Sequence, residues 1–318
     1  MSAAFNDEPT VADSLGRAGW VRWFAENLKN CEPPYVFGLH GDWGSGKTSF
    51  LHQMYGFFTG YSPAGKKLVP QITNTWGTHW KSSERHIVVI FEAWRYQHEA
   101  TPVVALLHEI RAQWSWYNKT FKWLGKIGEV ATRGALLVFD EATRKIDNDT
   151  SIKVKPSSSG IQALGERWEA DHFENTLPTQ KLREFLSEAI KVLSGDSRII
   201  ILIDDLDRCQ PEAAYKLLEG IKIYLNLPNC VFVLAMDQQQ IQRAVATCMP
   251  GGRSGNDPDA DATQLHQAAE YMEKICQDIW QLPLMPTTAH ELFLRGCLEG
   301  HTAGHAEVFE QVFQVLRN

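Results

Sequence analysis

Short, nearly unbroken apolar runs recur along the chain and predict buried strands. Five segments have this pattern, namely residues 35–40, 86–94, 198–204, 231–237 and 280–286. Apolar runs without polar alternation are typical of parallel strands that are covered by helices on both faces. The pattern therefore predicts a mainly parallel sheet buried in the centre of the molecule.

Between these runs, apolar residues recur at helical spacing. The pattern predicts helices over residues 13–29, 102–127, 180–193, 211–225, 238–248 and 265–279, with one more directly after residue 48. Alternating strands and helices of these lengths are typical of an α/β fold with three layers. Two polar stretches, residues 144–160 and 249–263, are predicted to be loops.

The first predicted strand is followed at once by GDWGSGKT, which matches G-x-x-x-x-G-K-[ST] at every fixed position. A strand before this motif and a helix after it supply the context that a phosphate-binding loop requires. We expect Lys47 to reach the β- and γ-phosphates of a nucleotide and the Thr48 hydroxyl to bind Mg²⁺. The predicted nucleotide contacts in this segment are Gly41, Asp42, Trp43, Gly44, Ser45, Gly46, Lys47, Thr48 and Ser49.

The third predicted strand, RIIILID, ends in a cluster of acids. Parallel sheets bind ligands at the carboxyl ends of their strands, so we expect Asp204 to hold Mg²⁺ through water. Asp205 is the candidate to orient or deprotonate an attacking water, and a helix cap or a salt bridge is its alternative role. Arg208 either pairs with Asp207 or acts on a phosphate bound by a neighbouring subunit.

Composition narrows the class of protein. The chain has 318 residues, of which 44% are hydrophobic, enough for one large α/β domain and a small accessory part. A net charge of −7 argues against a protein that binds nucleic acid over most of its surface. The six cysteines include no C-x-x-C pair, which argues against a zinc site or a disulfide framework. We expect a cytoplasmic protein, because neither a signal peptide nor an apolar stretch of about 20 residues is present.

Four sequence blocks resemble the KAP family of P-loop NTPases and occur in the order of that family. They are HGDWGSGKTSF, FEAWRY, IDDLDRC and YMEKICQ followed by LPLMP, and the similarity extends from DSLGR at residue 13 to residue 286. The resemblance implies an additional-strand P-loop fold and Mg²⁺-dependent ATP hydrolysis. It also implies a setting in bacterial defence, mobile elements or membrane-associated signalling.

The resemblance suggests two further nucleotide contacts. Asp237 ends the fourth predicted strand, where related NTPases place a polar residue that senses the γ-phosphate, and capping of the next helix is an equal alternative. Lys274 in YMEKICQ resembles a family lysine near the nucleotide, and a solvated helix face is the alternative for this residue.

The segment QWSWYNKTFKWLGKIG, residues 113–128, interleaves aromatic residues with Lys119, Lys122 and Lys126. The three lysines share one helical stripe, so the segment is a candidate to lie on a membrane surface or to bind a partner. The simpler interpretation is a helix that packs on the sheet and leaves its lysines in water. Peripheral membrane attachment and nucleic-acid binding therefore both stay open.

We therefore predict a KAP-type NTPase domain over residues 1–286, with an insert over about residues 103–178, and a helical lid segment over residues 287–318. The expected function is Mg²⁺-dependent ATP binding and hydrolysis, which would switch an unidentified protein effector in antiviral defence, with self-association of the chain. A DNA-binding or scaffold module with negligible turnover is one alternative. A GTPase is the other, although Asn118 and Lys119 continue as Thr-Phe rather than as the guanine-reading N-K-x-D.

Overall fold

The structure is a computed structural model that describes residues 9–77, 86–121, 129–148, 178–195, 197–224, 227–249 and 258–283. Within these ranges, five strands form one sheet in which every pairing is parallel. The strands are β1 Tyr35–His40, β2 His86–Glu92, β3 Arg198–Asp204, β4 Cys230–Met236 and β5 Asp278–Gln281. The predicted α/β fold with a parallel sheet is confirmed.

The strand order is β2-β3-β4-β1-β5. Strand β4 therefore lies between β1, which leads into the glycine-rich loop, and β3, which ends in the acids. This inserted strand is the additional strand that the family resemblance implies. Because all strands run in the same direction, their carboxyl ends lie at one edge of the sheet and bring the loop, Asp204 and Asp237 to that edge.

Most of the described helices correspond to predicted ones and differ from them at their ends, whereas the helices over residues 70–73 and 129–148 were not predicted. They are α1 Ala18–Asn30, α2 Lys47–Thr59, α3 Pro70–Thr73, α4 Pro102–Phe121, α5 Glu129–Asn148, α6 Pro178–Ser194, α7 Pro211–Tyr224, α8 Gln238–Cys248 and α9 Pro258–Ile275. The predicted loops are wrong at their margins, since residues 144–148 belong to α5 and residues 258–263 to α9.

Side chains of β3 explain why its sequence shows no polar alternation. Ile200 and Leu202 pack into the apolar cluster on the face that carries α1 and α2. Ile199, Ile201 and Ile203 pack into the cluster on the other face, which receives residues from α4 to α9. Each face is covered by helices, so both sets of side chains are excluded from water.

Helix α4 contains the described part of the aromatic and lysine-rich segment. Trp114 and Tyr117 are buried in the core, and the Trp114 indole N–H donates to the Leu193 carbonyl at 3.2 Å. Lys119 is exposed, whereas Lys122, Lys126 and the predicted lid over residues 287–318 lie outside the described residues. These contacts agree with a helix that packs on the sheet. Among the helices that the structure describes, none is both long and apolar enough to cross a bilayer.

Candidate nucleotide-binding site

The glycine-rich loop occupies residues 41–46, between the end of β1 and the start of α2 at Lys47. Gly44 and Gly46 have φ values of 75° and 84°, which favour glycine. A Cβ atom at Gly41 would clash with the Ser45 hydroxyl, so a larger residue at this position would force the Ser45 side chain to move. The glycines thus shape a tight loop beside the first N–H groups of α2, where anions bind favourably.

Lys47 lies across the loop rather than in open solvent. Its ammonium group donates to the Gly41 carbonyl at 2.7 Å and to the Asp42 carbonyl at 3.3 Å. The same group lies 3.5 Å from the Asp207 carboxylate, and both side chains are largely buried. The structure therefore links the loop to the acidic segment after β3 through one ion pair.

Asp204, the last residue of β3, is only 1% exposed. Both of its carboxylate oxygens are buried and lack a hydrogen-bond partner among the described groups. Burial and, to a lesser extent, the charge of Asp205 raise the pKa of Asp204 to about 6, while the nearby Thr48 hydroxyl acts to lower this pKa. A buried carboxylate and a half-buried hydroxyl that lie close together fit a hard cation such as Mg²⁺.

The raised pKa predicts an unusual effect of Asp204→Asn on stability in the absence of Mg²⁺. Below the ordinary pKa of 3.8, Asp204 is protonated in both the folded and the unfolded state. As the pH rises from there to about 6, Asp204 ionises more readily in the unfolded state, so the free energy of unfolding of the wild type falls. Asn carries no charge, so the free energy of unfolding of the variant should exceed that of the wild type by about 1–3 kcal/mol at pH values above about 7. Urea unfolding in EDTA at about pH 4 and about pH 8 measures this gain, which should vanish at the lower pH. Equal stability of the two proteins at both pH values would contradict the assigned burial.

Asp205 adopts a left-handed backbone conformation, with φ 55° and ψ 29°. This conformation is uncommon for a residue with a side chain, and such strain is often found at functional sites. The Asp205 carboxylate lies 2.9 Å from the Arg208 Nε. Burial raises the pKa of Asp205, and the positive charges of Arg208 and Lys47 oppose this rise. The expected pairing of Arg208 with Asp207 is wrong, because the 3-10 turn Leu206–Arg208 brings Arg208 back to Asp205.

Arg208 and Trp43 form an exposed lip beside the loop. The Arg208 guanidinium carbon lies 5.7 Å from the centre of the Trp43 ring. About half of the Arg208 side chain is exposed, and Trp43 is 86% exposed. A cation over an aromatic face is weakly attractive in water, so this contact can open at little cost.

Asp237 caps a helix and borders the site through its backbone. Its carboxylate accepts hydrogen bonds from the N–H groups of Gln239 at 2.9 Å and Gln240 at 3.2 Å, as expected for the cap of α8. The Asp237 N–H donates to the Asp207 carboxylate at 3.0 Å. The alternative that Asp237 caps a helix is confirmed, and Asp207, which sequence reasoning left out of the site, is held between Asp237 and Lys47.

The structure does not bring Lys274 to the phosphate loop. Lys274 lines a small cavity together with Pro34 and Val36, which stand at the start of β1. The loop follows the other end of the same strand. The helical periodicity of YMEKICQ predicts which side of α9 is buried. It does not predict at which end of the sheet this helix ends.

Arg17 is a site residue that sequence reasoning missed. Arg17 is 5% exposed, and its guanidinium donates to the Ser45 carbonyl of the loop at 2.7 Å. It also donates to the Pro283 carbonyl, just after β5, at 3.0 Å. The available signal was DSLGR, which precedes the first helix and ends in this arginine.

Comparisons with known proteins agree with this geometry. The family model described as the KAP family P-loop domain matches residues 19–308. The phage T7 exclusion protein of Escherichia coli (strain K12) is 24% identical over 308 residues, which cover 89% of this chain and 34% of that relative. The chain therefore spans about a third of the length of the curated relative that it matches.

Proposed function

The chain belongs to the KAP family of P-loop NTPases, and we propose from this that it binds ATP with Mg²⁺, hydrolyses it and uses the cycle to switch a partner. One observation carries the proposal. The two buried, unpartnered oxygens of Asp204 lie close to the Thr48 hydroxyl, at the first turn of the helix that follows the glycine-rich loop. A phosphate loop beside a buried carboxylate is the arrangement that P-loop NTPases use to hold Mg²⁺ and transfer a phosphoryl group to water.

Each part of the site has a separate chemical role in this proposal. The loop backbone binds the β- and γ-phosphates, and Lys47 supplies positive charge to them. Thr48 and Asp204 would hold Mg²⁺, which supplies neutralising charge to the phosphate oxygens when it is bound. Asp205 orients the attacking water and accepts its proton, and its pKa, raised by burial, favours this role.

Two alternative functions are separated from the ATPase by one assay. The purified chain is incubated with ATP or GTP, with and without double-stranded DNA, and phosphate release is measured. An ATPase releases phosphate from ATP in preference to GTP and needs no DNA. Preferential release from GTP would favour the GTPase, and ATP binding without release would favour a scaffold or DNA-binding module.

The proposed setting is defence against phage in the cytoplasm, with a protein effector as the partner. The support is the similarity to a relative whose name describes exclusion of phage T7.

We also propose that Arg208 acts across an interface between two copies of the chain. Its exposed guanidinium at the lip of the site can leave Asp205 and reach a phosphate on a neighbour, since an ion pair exposed to water is weak. ATPase activity per chain should rise with protein concentration. The substitution Arg208→Ala should lower this activity by a factor of at least about ten. Mixing Arg208→Ala with Lys47→Ala should restore activity, because the mixed dimer contains one complete site.

The matched control for this experiment is Arg144→Ala, which removes an exposed arginine that pairs with Glu141 at 2.8 Å on α5. This control should keep normal activity. Activity per chain that does not depend on concentration, with no recovery on mixing, would leave Arg208 as a local partner of Asp205 alone.

A further inference from the structure

Arg17 lies where three separate parts of the chain meet. Its side chain contacts the phosphate loop at Ser45 and the segment after β5 at Pro283, and its backbone starts α1. We infer that Arg17 is a positioning residue that holds the phosphate loop in the shape that binds nucleotide. This inference rests on the proposed nucleotide-binding function and adds to it a residue that never touches the phosphates.

The sequence around Arg17 fixes its backbone before its side chain makes any contact. The two carboxylate oxygens of Asp13 accept hydrogen bonds from the N–H groups of Arg17 at 2.6 Å and Ala18 at 2.9 Å. Gly16 has a φ of 67°, which lets the chain turn sharply into α1. The capped helix start and the glycine turn therefore place the arginine side chain in a set direction, towards the loop.

The contact with Ser45 controls the orientation of one peptide group in the loop. The Arg17 Nη1 donates to the Ser45 carbonyl at 2.7 Å, and a Cβ atom at Gly46 would lie 3.1 Å from the same nitrogen. In a trans peptide, the carbonyl and the next N–H point in opposite directions. Holding the Ser45 carbonyl towards Arg17 therefore turns the Gly46 N–H away from Arg17, which frees this donor for a phosphate oxygen.

The burial of Arg17 is hard to explain by stability alone. The Asp13 oxygens serve the backbone of α1, and the Arg17 Nε is buried without a hydrogen-bond partner among the described groups. Burying a cation without a directly bonded carboxylate is unfavourable. Guanidinium can bridge two carbonyls from a planar fork, whereas the single ammonium group of lysine has no such fork. The geometry thus favours arginine at this position for its two directed bonds.

The test compares Arg17→Met and Arg17→Lys with a matched control, Arg198→Met. Arg198 is also partly buried, and its guanidinium donates to the backbone carbonyls of Leu28 and Cys31 near the start of β3, away from the phosphate loop. For each protein we would measure the KM and kcat of ATP hydrolysis with Mg²⁺, the Kd for ATP and the thermal unfolding temperature.

Arg17→Met should raise KM and Kd by about tenfold or more, because the loop loses a charge-assisted hydrogen bond that holds its shape. The kcat should fall by less than about threefold, since the lost binding is shared by the ground state and the transition state. Arg17→Lys should recover part of the affinity. Arg198→Met should lower the unfolding temperature and leave KM unchanged.

A wild-type chain that binds no ATP would overturn the proposed function and this inference with it. A wild type that binds ATP, together with a folded Arg17→Met of unchanged KM and Kd, would overturn the inference alone. If Arg17→Met does not fold, Arg17→Lys decides the question in the same way. A folded lysine variant with raised KM supports the inference, and one with the wild-type KM overturns it.

Discussion

Lys47→Ala is expected to weaken ATP binding by about a hundredfold or more while the chain stays folded. The ammonium group lies between the Gly41 carbonyl and the Asp207 carboxylate, with its side chain 10% exposed. When a nucleotide binds, this group exchanges those contacts for phosphate oxygens, and each charge-assisted hydrogen bond contributes about 1.5–3 kcal/mol. Titration calorimetry with ATP and Mg²⁺ measures the loss directly.

The matched control for Lys47→Ala is Lys66→Ala, which removes an exposed lysine from the turn after α2. This control should bind ATP as the wild type does. Removing one partner of a buried ion pair costs about 3–5 kcal/mol, so the thermal unfolding of both variants is measured and their ATP affinities are compared well below the unfolding temperatures. Unchanged ATP affinity in Lys47→Ala would refute the assignment of the loop.

Asp205→Asn is expected to keep ATP bound and to slow hydrolysis by roughly 10²–10⁴-fold. Asn cannot accept a proton from the attacking water, and loss of a general base typically costs this much. The neutral side chain also keeps nearly the same shape, so the loop and Asp204 should stay in place. Single-turnover phosphate release, with binding measured in parallel, separates the chemical step from affinity.

Asp140→Asn is the matched control, because Asp140 is an exposed acid that also pairs with an arginine Nε. Its carboxylate lies 3.1 Å from Arg111, compared with 2.9 Å between Asp205 and Arg208. The control should hydrolyse ATP at the wild-type rate. If Asp205→Asn turns over equally fast, then Asp205 serves only as the ion-pair partner of Arg208.

The sequence predicted best those parts of the fold whose structure is determined by a short local sequence pattern. The unbroken apolar run of β3 predicts a strand buried on two faces, and Ile199 to Ile203 are buried in this way. The glycine-rich motif predicts a loop before a helix, and α2 begins at Lys47. Asp204 follows from the same reasoning, because it directly ends a parallel strand.

The contacts that sequence did not predict depend on geometry over short turns or long distances. Two adjacent aspartates do not reveal that Asp205 adopts a left-handed conformation. The sequence therefore did not predict that Arg208 pairs with Asp205, or that Asp207 pairs with Lys47. Arg17 reaches Ser45 over 28 residues and Pro283 over 266 residues. No local periodicity reports such contacts.

Lys274 illustrates a different limit of sequence reasoning. Its helix was predicted from periodicity over residues 265–279, whereas α9 spans Pro258–Ile275 and β5 begins at Asp278. The strand pairs Phe37 with Asp278, so the end of α9 lies near the first residues of β1. The position of a residue along a parallel sheet depends on this register, which is set by tertiary packing.

ATP hydrolysis by this chain is tested most directly in single-turnover reactions of γ-labelled ATP with an excess of the purified protein. An excess of protein allows even slow hydrolysis to be detected, because every ATP molecule is bound during the reaction. We expect the wild type to release labelled phosphate only when Mg²⁺ is present, and we expect EDTA or the substitution Lys47→Ala to reduce this release to background. If a wild-type chain that binds ATP releases phosphate no faster than Lys47→Ala does, the chain is not an ATPase.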